Sequence, residues 1–139
     1  MKVKDVMTSG VDVIHPGAML AEASRRMRDE GVGALPVGQD DRLIGMVTDR
    51  DIVCRAVAEG KDPGQTPVSE AMSDQVLYCF DDQSTEEVSA NMGENQVRRL
   101  PVVNRDKRLV GIVSLGDLSS RGATREAGGA LGEISEPSR

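Results

Sequence analysis

The chain repeats itself. Val3-Lys4-Asp5-Val6-Met7 is matched sixty-five residues later by Val68-Ser69-Glu70-Ala71-Met72, and the same register carries Ala23 to Val88, Met27 to Met92, Val32 to Val97 and Leu35-Pro36-Val37 to Leu100-Pro101-Val102. The register then slips by one residue. Leu43-Ile44-Gly45-Met46-Val47-Thr48 falls on Leu109-Val110-Gly111-Ile112-Val113-Ser114, and Asp51-Ile52 falls on Asp117-Leu118. The slip lies in a polar turn, Gln39 to Arg42 against Asn104 to Arg108, where one extra residue adds little to the cost of closing a loop. A repeated unit of this size usually cannot bury its apolar face alone, so two copies must cooperate in forming a core.

Each copy reads as a short strand, an amphipathic helix, two strands and a closing helix, a mixed α/β (α+β) plan. In copy one the first strand is expected near Val11 to Ile14, and Pro16-Gly17 turns the chain into a helix over 19–30. Leu20, Ala23 and Met27 lie three and four apart and form its apolar face, while Arg25, Arg26, Arg28 and Asp29 face solvent. Gly31 supplies the left-handed stop. Ala34-Leu35-Pro36-Val37 and Leu43-Ile44-Gly45-Met46-Val47 read as strands joined by the turn Gly38-Gln39-Asp40-Asp41-Arg42. Pro36 and Pro101 lack the N–H a ladder needs, so each marks a strand edge or a backbone left open beside a ligand. The resulting division is repeat one over 1–60, a Gly/Pro linker over 61–67, repeat two over 68–120 and a tail over 121–139, expected to be flexible from its glycine content and weak apolar spacing.

Composition narrows the function classes. The chain has 139 residues, enough for one compact domain or two small halves that share a core. Against 17 Lys and Arg stand 23 Asp and Glu, a net charge of −6, which disfavours a nucleic acid or an anionic membrane as partner. Tyr78 and Phe80 are the only aromatic residues, so the stacking platforms of single-strand binders are missing and a bound base is expected to lie on aliphatic side chains. No apolar run is long enough to span a membrane, and the opening Met1-Lys2-Val3-Lys4-Asp5 lacks the apolar core of a secretory signal, so a cytoplasmic location is expected.

Cys54 and Cys79 form no CxxC pair and have no neighbouring His, so their spacing indicates neither a zinc site nor a disulfide framework. Both are read as reduced, packed residues. His15, alone and followed by Pro16, is read as structural. No nucleophile with a base and no paired acid and base can be picked out, so no catalytic residue and no metal site are expected.

Gly45-Met46-Val47-Thr48-Asp49-Arg50-Asp51 and Gly111-Ile112-Val113-Ser114-Leu115-Gly116-Asp117 both read as Gly, two apolar residues, Ser or Thr, two variable residues and Asp. This pattern resembles the signature of the cystathionine β-synthase (CBS) domain family, and the preceding Leu-Pro-Val segments, Val97-Arg98-Arg99-Leu100-Pro101-Val102 above all, resemble that family's first edge strand. The resemblance spans about Val3 to Leu118, and the chain is similar to the small stand-alone two-repeat bacterial proteins, the hypoxic-response type among them. It implies two repeats packed through their sheets as a pseudo-twofold module, two clefts between them, and a homodimer. It also implies an adenine nucleotide or related adenosine ligand (AMP, ADP, ATP or NAD) bound for regulation and read by a separate downstream protein. Carried over, Asp51 with Thr48 serves one cleft and Asp117 with Ser114 the other, Asp on the ribose hydroxyls and Ser or Thr on phosphate.

The residues support this independently. Thr48 and Ser114 end a strand and open a helix, where backbone N–H groups favour an anion. Asp51 and Asp117 are pure acceptors able to take hydrogen bonds from two vicinal hydroxyls. The base is expected against Val11, Val13, Ala34 and Met46 in one cleft and against Val76, Leu100 and Ile112 in the other, with Arg98 and Arg99 supplying charge for phosphate. The competing account is purely structural: Ser or Thr followed three residues later by an acid is a helix capping box, stabilising by about 0.5–2 kcal/mol with no ligand. The two loops also differ. Copy two has Gly116, which permits close approach, and Arg98 and Arg99 in place of Gly33 and Ala34, so its cleft is expected to accept phosphate better, with Arg50 partly compensating in copy one.

Overall fold

The computed structural model of the protein describes residues 1–10, 12–121 and 124–137. In chain order the elements are α1 (Val3–Val6), β1 (Thr8–Ser9), α2 (Leu20–Glu30), β2 (Ala34–Gln39), β3 (Arg42–Thr48) and α3 (Asp49–Ile52), which runs on as a π-helical turn, Val53–Val57. A 3-10 turn, Val68–Glu70, precedes β4 (Cys79–Phe80), α4 (Thr85–Asn95), β5 (Arg99–Val103), β6 (Leu109–Ser114), α5 (Leu115–Ser120) and α6 (Thr124–Ile134). The fold is of the α+β class, and no described helix is long and apolar enough to cross a membrane.

The chain forms two compact units, Met1–Val11 with Leu77–Arg139, and Asp12–Val76. These units do not follow the repeat boundaries. Val3 and Val6, which open copy one, are fully buried in a core with Met92, Leu100, Val102, Val113 and Leu118 of copy two. Val68 and Ala71, which open copy two, are buried with Leu20, Ala23, Val37 and Val47 of copy one. Each repeat's opening turn therefore belongs to the unit built from the other repeat's strands and helices.

In the unit Asp12–Val76, β2 and β3 pair as an antiparallel hairpin over a two-residue turn. Its residues Asp40 and Asp41 have φ of 54° and 64°, the mirror-image turn that matches the twist of the strands. Of the strand expected near residues 11–14, described residues 12–14 make one bridge: Ile14 N donates to the Pro36 carbonyl and Gly38 N donates to the Ile14 carbonyl. That parallel bridge steps over the nitrogen of residue 36, so proline is accommodated inside the strand rather than at a bare edge. On the far side of the hairpin, Met46 and Ser73 exchange both backbone hydrogen bonds, at 2.9 and 2.8 Å. Helix α2 starts and stops where its apolar spacing predicts, with Gly31 at φ 68°. The linker is pinned: Thr66 donates its hydroxyl to the Asp62 carbonyl, and Leu20 N donates to the Thr66 carbonyl.

The other unit repeats this plan, its two flanking bridges extended to the two-residue strands β1 and β4, in the order β1-β6-β5-β4. Its β5 to β6 connection is longer. Asn104 Oδ1 accepts from the amides of Asp106 and Arg108, which folds the residue responsible for the register slip into a side-chain-closed turn.

The expectation of a flexible tail is corrected. Residues 124–134 are helical, with Ala127 and Ala130 buried in the core of this unit. Gly93 of α4 lies where a β-carbon would come within 2.9 Å of the Glu133 carboxyl, and the Gln96 side chain donates to the carbonyls of Glu133 and Glu136. The apolar signal was two alanines and Ile134 among glycines, too weak to read as a buried face until α4 provides a surface for it.

The signature glycines are a packing requirement. A β-carbon on Gly45 would stand 2.8 Å from both Met72 Sδ and the Ser73 carbonyl oxygen, and one on Gly111 would stand 2.7 Å from the Thr8 carbonyl oxygen and 2.8 Å from Met7 Sδ. The opening segment of each repeat can lie against its strand only because that side chain is absent. Gly111→Ala and Gly45→Ala are each expected to destabilise by about 1–3 kcal/mol, seen as a lower urea midpoint at unchanged slope. The cysteines separate as well: Cys54 is exposed, while burial, helped by Asp81, pushes the Cys79 thiol up to about 12. A thiol reagent at pH 8 is expected to label Cys54 in the native protein and to reach Cys79 only after denaturation.

Candidate functional site

Both signature turns close on themselves. Thr48 Oγ1 accepts from Asp51 N at 3.0 Å, and Asp51 Oδ2 accepts from Thr48 N at 2.9 Å. Ser114 Oγ accepts from Asp117 N at 3.1 Å, and Asp117 Oδ2 accepts from Ser114 N at 3.0 Å. The capping box is thus present in both copies, and it occupies one oxygen of each aspartate.

The second oxygens differ. Asp117 Oδ1 accepts from the Thr8 hydroxyl at 3.2 Å, whereas Asp51 Oδ1 lies 3.9 Å from Arg55 Nε. Both aspartates are half-buried, and the second oxygen of each rests in a contact that a hydroxyl donor could replace.

The strand ladders bring the predicted charged residues to these turns. Arg99 sits directly across from Ser114, and the Leu115 amide donates to the Arg98 carbonyl at 3.1 Å, so both arginines flank the turn that carries Gly116 and Asp117. In copy one Ala34 faces Thr48, and the Asp49 amide donates to the Gly33 carbonyl at 2.9 Å. There the Asp49 carboxylate lies 3.0 Å from where a β-carbon on Gly33 would be, and it also accepts from the Arg50 amide at 2.8 Å. Where one turn is flanked by Arg98 and Arg99 the other has Gly33 and Ala34, and the carboxylate of Asp49, which falls on Leu115, lies against Gly33 and has already taken a loop amide.

The residues expected to form an aliphatic wall differ in exposure. Met46, Ala34 and Ile112 are partly exposed, and Val13 is exposed. Val76 is the half-buried last residue of the unit Asp12–Val76, and Val11 lies outside the described residues. Leu100 is corrected: it is 1% exposed and packed in the core, because it pairs with Val113 on the inward face of the sheet. Pairing alternates faces, so at this level Ile112, opposite Pro101, is the residue partly open to solvent.

Four residues at these turns escaped the sequence reading. Thr8 holds Asp117. Arg121 donates to the Met7 carbonyl at 3.0 Å, and Arg55 donates to the carbonyls of Ala71 and Met72 at 3.3 and 3.2 Å. Ser73 is the counterpart of Thr8 and pairs with Met46 through its backbone. The signal was available: Arg55 and Arg121 each stand four residues after the motif aspartate and fall on one another in the slipped register. Among the described residues no three His, Cys, Asp or Glu side chains gather as a metal site.

Doubled Gly-φ-φ-Ser/Thr-x-x-Asp turns, each laid against the other repeat's opening segment, define a paired-repeat fold. The CBS domain family matches this chain twice, over residues 3–57 and 68–123, and the chain belongs to that family. CBS domain-containing protein YhcV of Bacillus subtilis is 46% identical over 96% of this chain and 94% of its own. Hypoxic response protein 1 of Mycobacterium tuberculosis is 42% identical over 84% of this chain and 81% of its own. A crystal structure of hypoxic response protein I with two coordinated zinc ions superposes with a TM-score of 0.78 at 40% identity, covering 86% of this chain and 98% of that one. CBSX2 in complex with AMP gives 0.77 at 30% identity, covering 89% and 96%.

Because each capping box is complete within its own turn, it sets a baseline for mutagenesis. Ser114→Ala is expected to cost about 1 kcal/mol through loss of the cap, whereas Asp117→Asn keeps an oxygen for the Ser114 amide and is expected to cost less. Urea denaturation of the two variants side by side checks the order.

Proposed function

We propose that this chain is a non-enzymatic regulatory module that binds an adenine nucleotide or a related adenosine ligand, such as AMP, ADP, ATP or NAD, and that the Ser114–Asp117 turn carries the stronger site. The observation that carries this reading is the presence of both signature turns in a chain 30% identical, over 89% of its length, to a protein solved with AMP. Asp117 Oδ1, which accepts from the Thr8 hydroxyl, takes the ribose hydroxyls; Arg98 and Arg99 meet phosphate, with Ser114 at the turn and Gly116 leaving room for it. Thr48 and Asp51 form the second site, where the Asp49 carboxylate opposes phosphate and Arg50 offsets it. Occupancy is transmitted as a shift between conformations that differ in affinity for the ligand, and a separate protein reads it.

A second reading, an interaction module without a nucleotide, has its own support: the Ser/Thr–Asp pairs of both turns already serve as helix caps, and Val53 and Val57 are each 56% exposed on the turn that continues α3. Self-association as a homodimer through that apolar stretch is compatible with either reading.

Thermal-shift titration with AMP, ADP, ATP, NAD, S-adenosylmethionine and GTP distinguishes them, using the wild type, Asp117→Asn and Asp51→Asn. Asparagine is preferred to alanine because it preserves the cap. An adenosine ligand at 100 times its Kd is expected to stabilise by about 2.7 kcal/mol, with the larger loss in Asp117→Asn. No shift with any compound overturns the nucleotide reading in favour of the interaction module.

A further inference from the structure

A groove of about 330 Å³ runs between α5 and α6. Arg98, Leu115 and Gly116 line one side, and Ala127, Gly128 and Leu131 of α6 line the other. Two of these, Arg98 and Gly116, belong to the turn assigned above to phosphate. The groove therefore joins that turn to a helix that lies outside the two repeats matched by the CBS family.

The composition of α6 needs a reason. Gly128, Gly129 and Gly132 are all helical, and a β-carbon built on any of them meets nothing within 4 Å. Among the described residues no packing contact asks for glycine, yet each glycine makes the helix intrinsically weaker than alanine would. The helix is short and would be marginal without its docking surface. It is held by two buried alanines, by the close approach of Glu133 to Gly93 and by the Gln96 side chain at its C-terminal end. Gly93 and Gln96 have no equivalents in copy one, where Arg28 and Gly31 stand in their places, so only this unit carries the seat.

We infer that α6 is the moving part of the repeat-two site: the phosphate-bearing end of the ligand enters the groove beside Arg98, touches both walls and so favours the docked helix. This rests on the nucleotide reading above and adds to it the element that responds. A ligand that contacts both walls binds the docked state better, and by linkage anything that pre-orders α6 tightens binding by the same factor. The glycines keep the helix weak enough for occupancy to change its population.

Three proteins test this with AMP as the probe: the wild type; Gly129→Ala with Gly132→Ala, which stiffens α6 without touching the groove; and Gly128→Leu, which fills it from a position with open space. Amide hydrogen exchange follows residues 124–134, and isothermal titration follows affinity. With AMP, exchange of the α6 amides is expected to slow several-fold in the wild type. The double alanine variant is expected to bind AMP about three- to tenfold tighter, with α6 protected before AMP is added. Gly128→Leu is expected to bind at least about tenfold more weakly at a urea midpoint no lower than the wild type's, since the leucine takes the ligand's space while the helix itself is strengthened. AMP binding to all three proteins with equal affinity and unchanged α6 exchange overturns the inference while leaving the nucleotide reading intact. Absence of AMP binding to the wild type overturns both.

Discussion

The close approach of two backbones at Gly45 and at Gly111 is the constraint on which the rest depends. At Gly111 it lets β1 lie along β6, placing Thr8 beside Asp117 and the Met7 carbonyl within reach of Arg121. At Gly45 it lets Ser73 lie along β3, and Arg55 reaches the carbonyls of Ala71 and Met72. A side chain at either glycine would push the opening segment off its sheet, uncovering the apolar residues just before it, Val3 and Val6 in one unit and Val68 and Ala71 in the other. Core and site thus rest on one contact, which accounts for a glycine in the same place in both signature turns.

The aspartates have two roles at once. One oxygen of each closes a helix cap, an interaction complete within the turn, and the other faces outward to a partner that differs between the copies. Using the first oxygen for structure fixes the carboxylate, so that the second is presented in a set direction and needs little reordering when it meets a hydroxyl. The capping reading and the binding reading are therefore compatible, because they use different atoms of one group. The duplicated turn has also diverged in charge, with Asp49 beside Gly33 in one copy and Arg98 with Arg99 in the other.

Much of this was legible in the chain. The repeat, the one-residue slip, the span of α2 with its glycine stop and both hairpins follow from local spacing and turn chemistry, since helix periodicity, positive φ and β alternation are properties of neighbouring residues. The capping turns Thr48–Asp51 and Ser114–Asp117 were legible for the same reason, because each pair lies within a single turn of chain. Leu100 was misplaced because alternation along a strand does not say which face points inward when Leu100, Pro101, Val102 and Val103 are all buried. The tail was misread because alanines and glycines carry almost no apolar signal until a surface such as Gly93 offers them a seat.

The sequence by itself determined two copies of one α+β unit, the signature turn that each copy carries, and an acidic chain poor in aromatic residues. Only the tertiary structure decided that the first residues of each repeat complete the unit of the other, that Thr8 and Arg121 attend the Ser114–Asp117 turn, and that α6 forms one wall of a groove beside Arg98. The physical reason is that spacing encodes what a segment does with its own neighbours. Which distant segment fills the room left by a missing side chain is settled by close packing, and that depends on the whole fold.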